Sequence, residues 1–128
     1  MNLKIRLAKD SDHNFILATW LRSYRELGVT KPVPESEIFF KEHQAKIKQA
    51  LESGKCLIAT TDDEDQICGF LCYSEKAVHY IFVKTVFRKY GIANRLLDAA
   101  GDMKEFSHFT KFTPFFKRRN LTYNPYRF

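Results

Sequence analysis

Hydrophobic and polar positions along the chain fall into two alternating periods, and the switches between them mark the elements. Leu3-Lys4-Ile5-Arg6-Leu7 alternates with period two and predicts a half-buried strand. Lys9-Asp10-Ser11-Asp12 then offers helix N-caps, and a helix is expected from about Asp12. Its stripe is Ile16, Trp20, Tyr24 and Leu27, with Gly28 as the stop. Two prolines, Pro32 and Pro34, forbid a continuous helix and predict a loop. A second helix is expected from about Ser36 to Gly54, burying Phe39, Phe40, His43, Ile47, Ala50 and Leu51.

From Lys55 the period returns to that of strands. Cys56–Thr61 and Gln66–Tyr73 flank the acidic turn Asp62-Asp63-Glu64-Asp65 and predict an antiparallel hairpin, and Ala77–Lys84 adds a third strand. Arg88 to Gly91 breaks that strand, and a helix follows with Ile92, Leu96, Leu97 and Ala100 inward and Gly101 at its end. A strand around Ser107–Phe112, a short helix begun at Pro114 and a final strand near Leu121–Tyr123 complete the pattern. The expected order is β-α-α-β-β-β-α-β-α-β, an α/β (α+β) arrangement.

Composition narrows the class. With 128 residues, 45% of them hydrophobic and 15% aromatic, the chain supports one core and is expected to be a single domain, 1–128. No segment reaches the roughly 18 to 20 apolar residues that span a bilayer, and the start lacks a signal-peptide block, so a cytoplasmic protein is expected. Cys56, Cys68 and Cys72 lack CxxC spacing and sit in apolar segments, which predicts reduced core thiols and no zinc site. The four acids of the hairpin turn read as solvated charges, so no metal is expected.

Net charge is +6, concentrated at the C-terminal end, where Lys104, Lys111, Lys117, Arg118, Arg119 and Arg127 face one acid, Glu105. Such an end attracts anions: a phosphorylated cofactor, an acidic partner or nucleic acid. One segment discriminates among these. A strand that passes through a glycine turn into a helix leaves the first helical N–H groups without partners and aimed at one point, where the helix dipole also favours an anion. Gly91 admits positive φ and lacks a Cβ, Ala93 is small, and Lys84, Arg88, Lys89 and Arg95 add charge. The same residues also fit an ordinary strand-to-helix turn. Nothing resembles a Ser-His-Asp triad or a Walker loop.

Val83 followed at five residues by Arg88-Lys89-Tyr90-Gly91-Ile92-Ala93 resembles the Arg/Gln-x-x-Gly-x-Gly/Ala motif of GNAT (Gcn5-related N-acetyltransferase) proteins. The element order is similar to the GNAT order over essentially the whole chain, and the length and the ending Arg119–Tyr126 look like short phage and bacterial members. The resemblance implies a mostly antiparallel mixed sheet with helices on both faces, and acetyl-CoA as cofactor. It implies that the strand Ala77–Val83 parts from its next neighbour, that the main chain of Phe82 and Val83 pairs with pantetheine amides, and that Val83 N–H meets the oxyanion. Arg88, Lys89, Tyr90, Gly91, Ile92, Ala93 and Asn94 would hold the pyrophosphate, with Phe112, Phe115 and Phe116 near the pantetheine.

For the chemistry, His79 is the first candidate base, placed by strand parity on the face of Val83, and Glu75 the second. The family's Tyr acid aligns with Phe116, a departure that leaves Tyr123 or a water to protonate the thiolate. Tyr24 and Arg25 are the substrate-side candidates. The acceptor, a protein lysine, an N-terminus or a small amine, and the oligomeric state stay open. Two alternatives remain: an acyl-CoA-binding or protein-interaction module of the same fold, which the Phe at 116 favours, and a small basic nucleic-acid binder stacking bases on Phe109, Phe112, Tyr123 and Tyr126. The last leaves the strand-loop-helix motif unexplained, and its aromatics are spaced as a core strand requires.

Overall fold

The computed structural model describes residues 3–26, 41, 44, 45, 47–49, 51, 52, 55–61, 66–88, 90–107, 112–124 and 126. Strand β1 (Leu3–Leu7) leads through a 3-10 turn at Asp10–Asp12 into helix α1 (His13–Glu26). Asp12 fixes that junction: its carboxylate accepts from the Lys9 N–H and the Arg6 guanidinium, both at 2.8 Å. The Arg6 hydrogen bond holds the carboxyl below its usual range against the opposing effect of burial.

The described positions between 41 and 52 are helical and form α2, whose Ile47 and Leu51 are buried. The expected end at Gly28, the loop at 30–34, the early α2 stripe and the acidic turn at 62–65 lie outside the described residues. Strands β2 (Lys55–Thr61), β3 (Ile67–Ser74) and β4 (Ala77–Val83) follow, then α3 (Ile92–Ala100), β5 (Glu105–Phe106), α4 (Thr113–Arg118) and β6 (Thr122–Tyr123). The late strand expected at 107–112 therefore starts earlier, and the last strand keeps only its final two residues.

The six strands among the described residues lie in one sheet in sequence order. β1 to β4 pair antiparallel, whereas β5 is parallel to β4 and β6 to β5. Near-continuous burial along β2, β3 and β4 shows why their sequences lack clean alternation: helices cover both faces. One core joins Leu71, Ile81, Val83, Ile92, Leu96, Phe106 and Phe116, under α3 and α4. The other joins Ile16, Trp20, Ile47, Phe70 and Tyr80, under α1 and α2. Trp20 stacks on Tyr80 at 5.1 Å, so its role is packing. Each fully buried side chain of this kind contributes about 1.5–3 kcal/mol.

A bulge and a close main-chain approach shape the centre of the sheet. Opposite β3, the register runs from Tyr73↔Val78 to Cys72↔Tyr80, which leaves His79 as a bulge residue. Gly69 is required where it stands, because a Cβ there would lie 2.4 Å from the main-chain oxygen of Phe82. That oxygen belongs to a paired strand and cannot move aside.

Candidate functional site

Among the described residues β4 and β5 pair at two positions. Their register partners are Ala77↔Glu105 and Val78↔Phe106, and the Ser107 N–H donates to Val78 O at 3.0 Å. Among the described residues no strand pairs with β4 beyond that point on this side. The Lys84 N–H donates to Cys68 O at 2.8 Å, so Lys84 faces β3. Main-chain direction alternates along a strand, so Phe82 faces β3 as well, while Ile81 and Val83 turn toward the open side. This corrects the sequence expectation in one respect: the peptide groups offered to the cleft are those of Ile81 and Val83, and Phe82's are taken up within the sheet.

The loop after β4 makes a 3-10 turn at Thr85–Phe87 and enters α3 through Gly91, whose φ of 75° lies in the left-handed region. No side chain caps the helix at Gly91, and a Cβ there would meet nothing within 4 Å. The first helical bond runs from the Arg95 N–H to Gly91 O, at 3.1 Å. The N–H groups of Ile92, Ala93 and Asn94 precede it and have no intrahelical acceptor. Together with the positive end of the helix dipole, they form a concave donor surface suited to a phosphate.

That surface closes one end of a cavity of about 260 Å³ lined by Val83, Phe87, Arg88, Gly91, Ile92, Ala93, Asn94, Phe112 and Phe115. Arg88 reaches back to donate from Nε to Val83 O at 3.0 Å, and its guanidinium lies 5.9 Å from the centre of the Phe112 ring. The structure thus brings together six of the expected binding residues: Val83, Arg88, Gly91, Ile92, Ala93 and Asn94. Tyr90, 58% exposed, stands beside them, and Lys89 lies outside the described residues. Sequence reasoning missed Phe87, the residue just before the motif's Arg88, and Arg119. The latter was read as part of a basic end, yet it donates to Asn94 Oδ1 and Asp98 Oδ1, both at 2.7 Å, and ties the end of α4 to α3.

A family model, Acetyltransferase (GNAT) domain, matches residues 21–113, most of the chain. The chain belongs to the GNAT acetyltransferase family. Three solved structures share its fold. Apo YjaB from Escherichia coli superposes with a TM-score of 0.53 at 22% identity, over 78% of this chain. The chain spans 65% of YjaB, slightly under two thirds of its length. A GCN5-related N-acetyltransferase from Rhodopseudomonas palustris gives a TM-score of 0.63 at 17% identity, covering 93% of this chain and 81% of that one. A predicted acetyltransferase from Clostridium acetobutylicum, solved with acetyl-CoA, gives 0.57 at 13% identity, covering 94% and 90%. No curated protein sequence matches the chain.

The GNAT candidates for catalysis are placed less favourably than the loop. His79 is 3% exposed; its Nε2 lies 2.6 Å from Ser74 Oγ and its Nδ1 2.8 Å from Ser107 Oγ. Burial pushes its pKa down to about 4, so the ring is neutral at pH 7, donating from one nitrogen and accepting at the other. Parity does not place it with Val83, because the bulge shifts the alternation: Val78, Ile81 and Val83 belong to the core under α3, Tyr80 and Phe82 to the other. Glu75 is exposed in the tight turn between β3 and β4, at φ 53°, far along β4 from the cavity.

Tyr123 sits on β6 beyond β5, its ring 5.6 Å from that of Phe106, and does not line the cavity. Phe116 is 1% exposed in the core, whereas Phe112 and Phe115 of the same region line the cavity. The side chains of Tyr24 and Arg25, near the end of α1, lie outside the described residues. Among the aromatics considered for nucleic acid, Phe112 faces the cavity, Tyr126 is 94% exposed, and Phe109 lies outside the described residues. No helix among the described residues is long and apolar enough to cross a membrane, and no group of three or more His, Cys, Asp or Glu there is placed to hold a metal ion.

Proposed function

We propose that this chain moves an acetyl group from acetyl-CoA to a primary amine by direct attack, without a covalent enzyme intermediate. The observation that carries this reading is the coincidence of two features: among the described residues no strand pairs with β4 on the β5 side beyond Val78, and an uncapped helix start lies at the end of the same strand. Gly91, Ile92, Ala93 and Asn94 would hold the pyrophosphate on their N–H groups, with Arg88 and Lys89 adding charge and Tyr90 beside them. Ile81 and Val83 would pair with the pantetheine amides, and Phe87, Phe112 and Phe115 would cover its apolar flank. When bound, the thioester supplies an activated acyl carbon.

An arm laid along β4 from the loop leads toward the vertex of the fork, where Val78, His79 and Ser107 meet. Main-chain N–H groups on the open side of β4 that the pantetheine amides do not use are the donors available to an oxyanion. His79, neutral and bonded to Ser74 and Ser107, would accept the amine's proton through one of these hydroxyls and not by direct contact. Glu75 is the second candidate. Tyr123 or a water would return a proton to the thiolate. Tyr24 and Arg25 on α1 belong to the acceptor side; the acceptor is a protein lysine, an N-terminus or a small amine. Use of CoA accords with a cytoplasmic site of action.

Thermal stability with and without CoA tests the binding half of this reading. Stabilisation follows RT ln(1 + [L]/Kd), so CoA at about 100 Kd should contribute roughly 2.7 kcal/mol. An unchanged melting temperature at saturating CoA overturns it. Thiol release from acetyl-CoA across an amine and peptide panel tests the transfer half. A second reading, an acyl-CoA-binding module without turnover, is favoured by one observation: Phe87, Phe112 and Phe115 line the cavity with no phenol among them. Tight CoA binding with no thiol release would select it.

A further inference from the structure

The cysteines divide between the two faces of the sheet. Cys68 packs in the core under α3, and Cys56 and Cys72 pack together in the core under α1. These two are direct register partners across β2 and β3. Cys56 O accepts from the Ala8 N–H at 2.8 Å, on the β1 side, so Cys56 and Cys72 form a non-hydrogen-bonded pair between β2 and β3. Such pairs bring opposed Cα atoms to about 4.5 Å and their side chains closest, inside the range a disulfide spans. The two Sγ atoms lie 2.7 Å apart, nearer than unbonded sulfurs rest when merely packed.

We propose that Cys56 and Cys72 are a reversible modification site, closing to an intramolecular disulfide by exchange with a small-molecule disulfide. Cys56, at the start of β2 beside exposed Lys55, is the more accessible at 7% against 2% and is the entering nucleophile. Its thiolate attacks one sulfur of the small disulfide, forming a mixed disulfide and releasing one thiol. The Cys72 thiolate then attacks Cys56 Sγ and releases the second. In sum, two protein thiols become one S–S bond and one small disulfide becomes two thiols, with electrons and protons balanced. Burial and the adjacent Cys56 thiol push Cys72 well above its usual range, so exchange is slow at neutral pH and faster in mild alkali. The bond would fasten β3 to β2 beside the register shift at Cys72 and Tyr73 that produces the His79 bulge.

The test uses the full chain, oxidised glutathione as the probe, and intact mass, thiol titration and peptide mapping as readouts. The expected result is a loss of two of the three thiols, a mass lower by two hydrogens, a Cys56–Cys72 cross-linked peptide and a Tm higher by about 5–10 °C, reversed by dithiothreitol. Cys68→Ala should behave like the parent. Cys56→Ser and Cys72→Ser should each lose the Tm response. Persistence of all three thiols in the folded chain, while the urea-unfolded chain oxidises in the same buffer, overturns the proposal. A bridge to Cys68, a stable glutathione adduct or an intermolecular dimer overturns it equally, and peptide mapping of the parent decides even where a variant fails to fold.

Discussion

Arg88 donates from Nε to the main-chain oxygen of Val83, five residues earlier and 3.0 Å away, and so folds the end of β4 and the start of the α3 loop onto one another. The bond fixes the cation at the mouth of the cavity, with Phe112 beneath it. A charge-assisted hydrogen bond contributes about 1.5–3 kcal/mol. Arg88→Ala loses both this bond and the charge offered to the pyrophosphate, so it should lower the unliganded melting temperature by several degrees and weaken CoA binding about 10- to 100-fold, with Arg88→Lys milder in both. Calorimetric titration of both variants measures this, and an unaltered Kd for the alanine variant contradicts the assigned role.

Gly91 separates conformational cost from crowding. A Cβ there would touch nothing, yet φ is 75°, so Gly91→Ala is strained by backbone conformation alone. The expected loss is about 1 kcal/mol, a few degrees in Tm. Asn tolerates the left-handed region better, and Gly91→Asn should recover part of that loss. Melting curves of the two variants, compared without ligand, check the order.

The loop was legible in the sequence because it rests on local rules: a strand period ending, a glycine, then a helical period. The same rules fixed most element positions within a residue or two. What depended on register was not legible. The bulge at His79 interrupts the alternation, so parity with Val83 does not decide the face of that residue. That the main chain of Ile81, and not that of Phe82, faces the cleft is likewise a matter of register, since the Lys84–Cys68 bond tells which way each peptide turns. Ser74 and Ser107, the partners of His79, are five and 28 residues away, and no spacing rule predicts their meeting.

His79 should make the fold acid-sensitive in a defined window. Its pKa is about 4 when folded against 6.5 as a free side chain, so between these values the unfolded chain binds more protons. Stability is then full above about pH 6.5, falls as pH drops and has lost this contribution below about pH 4. The amount is on the order of 3 kcal/mol. Urea denaturation from pH 7 to 4.5 should show this slope for the parent and a flatter one for His79→Gln. Equal slopes would show that another group is responsible.

Phe115 and Phe116 are neighbours in α4 with opposite surroundings, and a phenol at each should act differently. Phe116 is 1% exposed with its ring 5.2 Å from Phe106, so the hydroxyl of Phe116→Tyr enters the core. A buried hydroxyl without a partner costs about 1–3 kcal/mol, visible as a lowered Tm. Phe115 lines the cavity and is only partly buried, so Phe115→Tyr should leave stability within about 0.5 kcal/mol of the parent. The pair also reports on turnover. A phenol at 115 stands where the cleft has only phenylalanine rings among its aromatic walls, so a rise in kcat for thiol release in Phe115→Tyr, absent in Phe116→Tyr, would identify thiolate protonation as the limiting step.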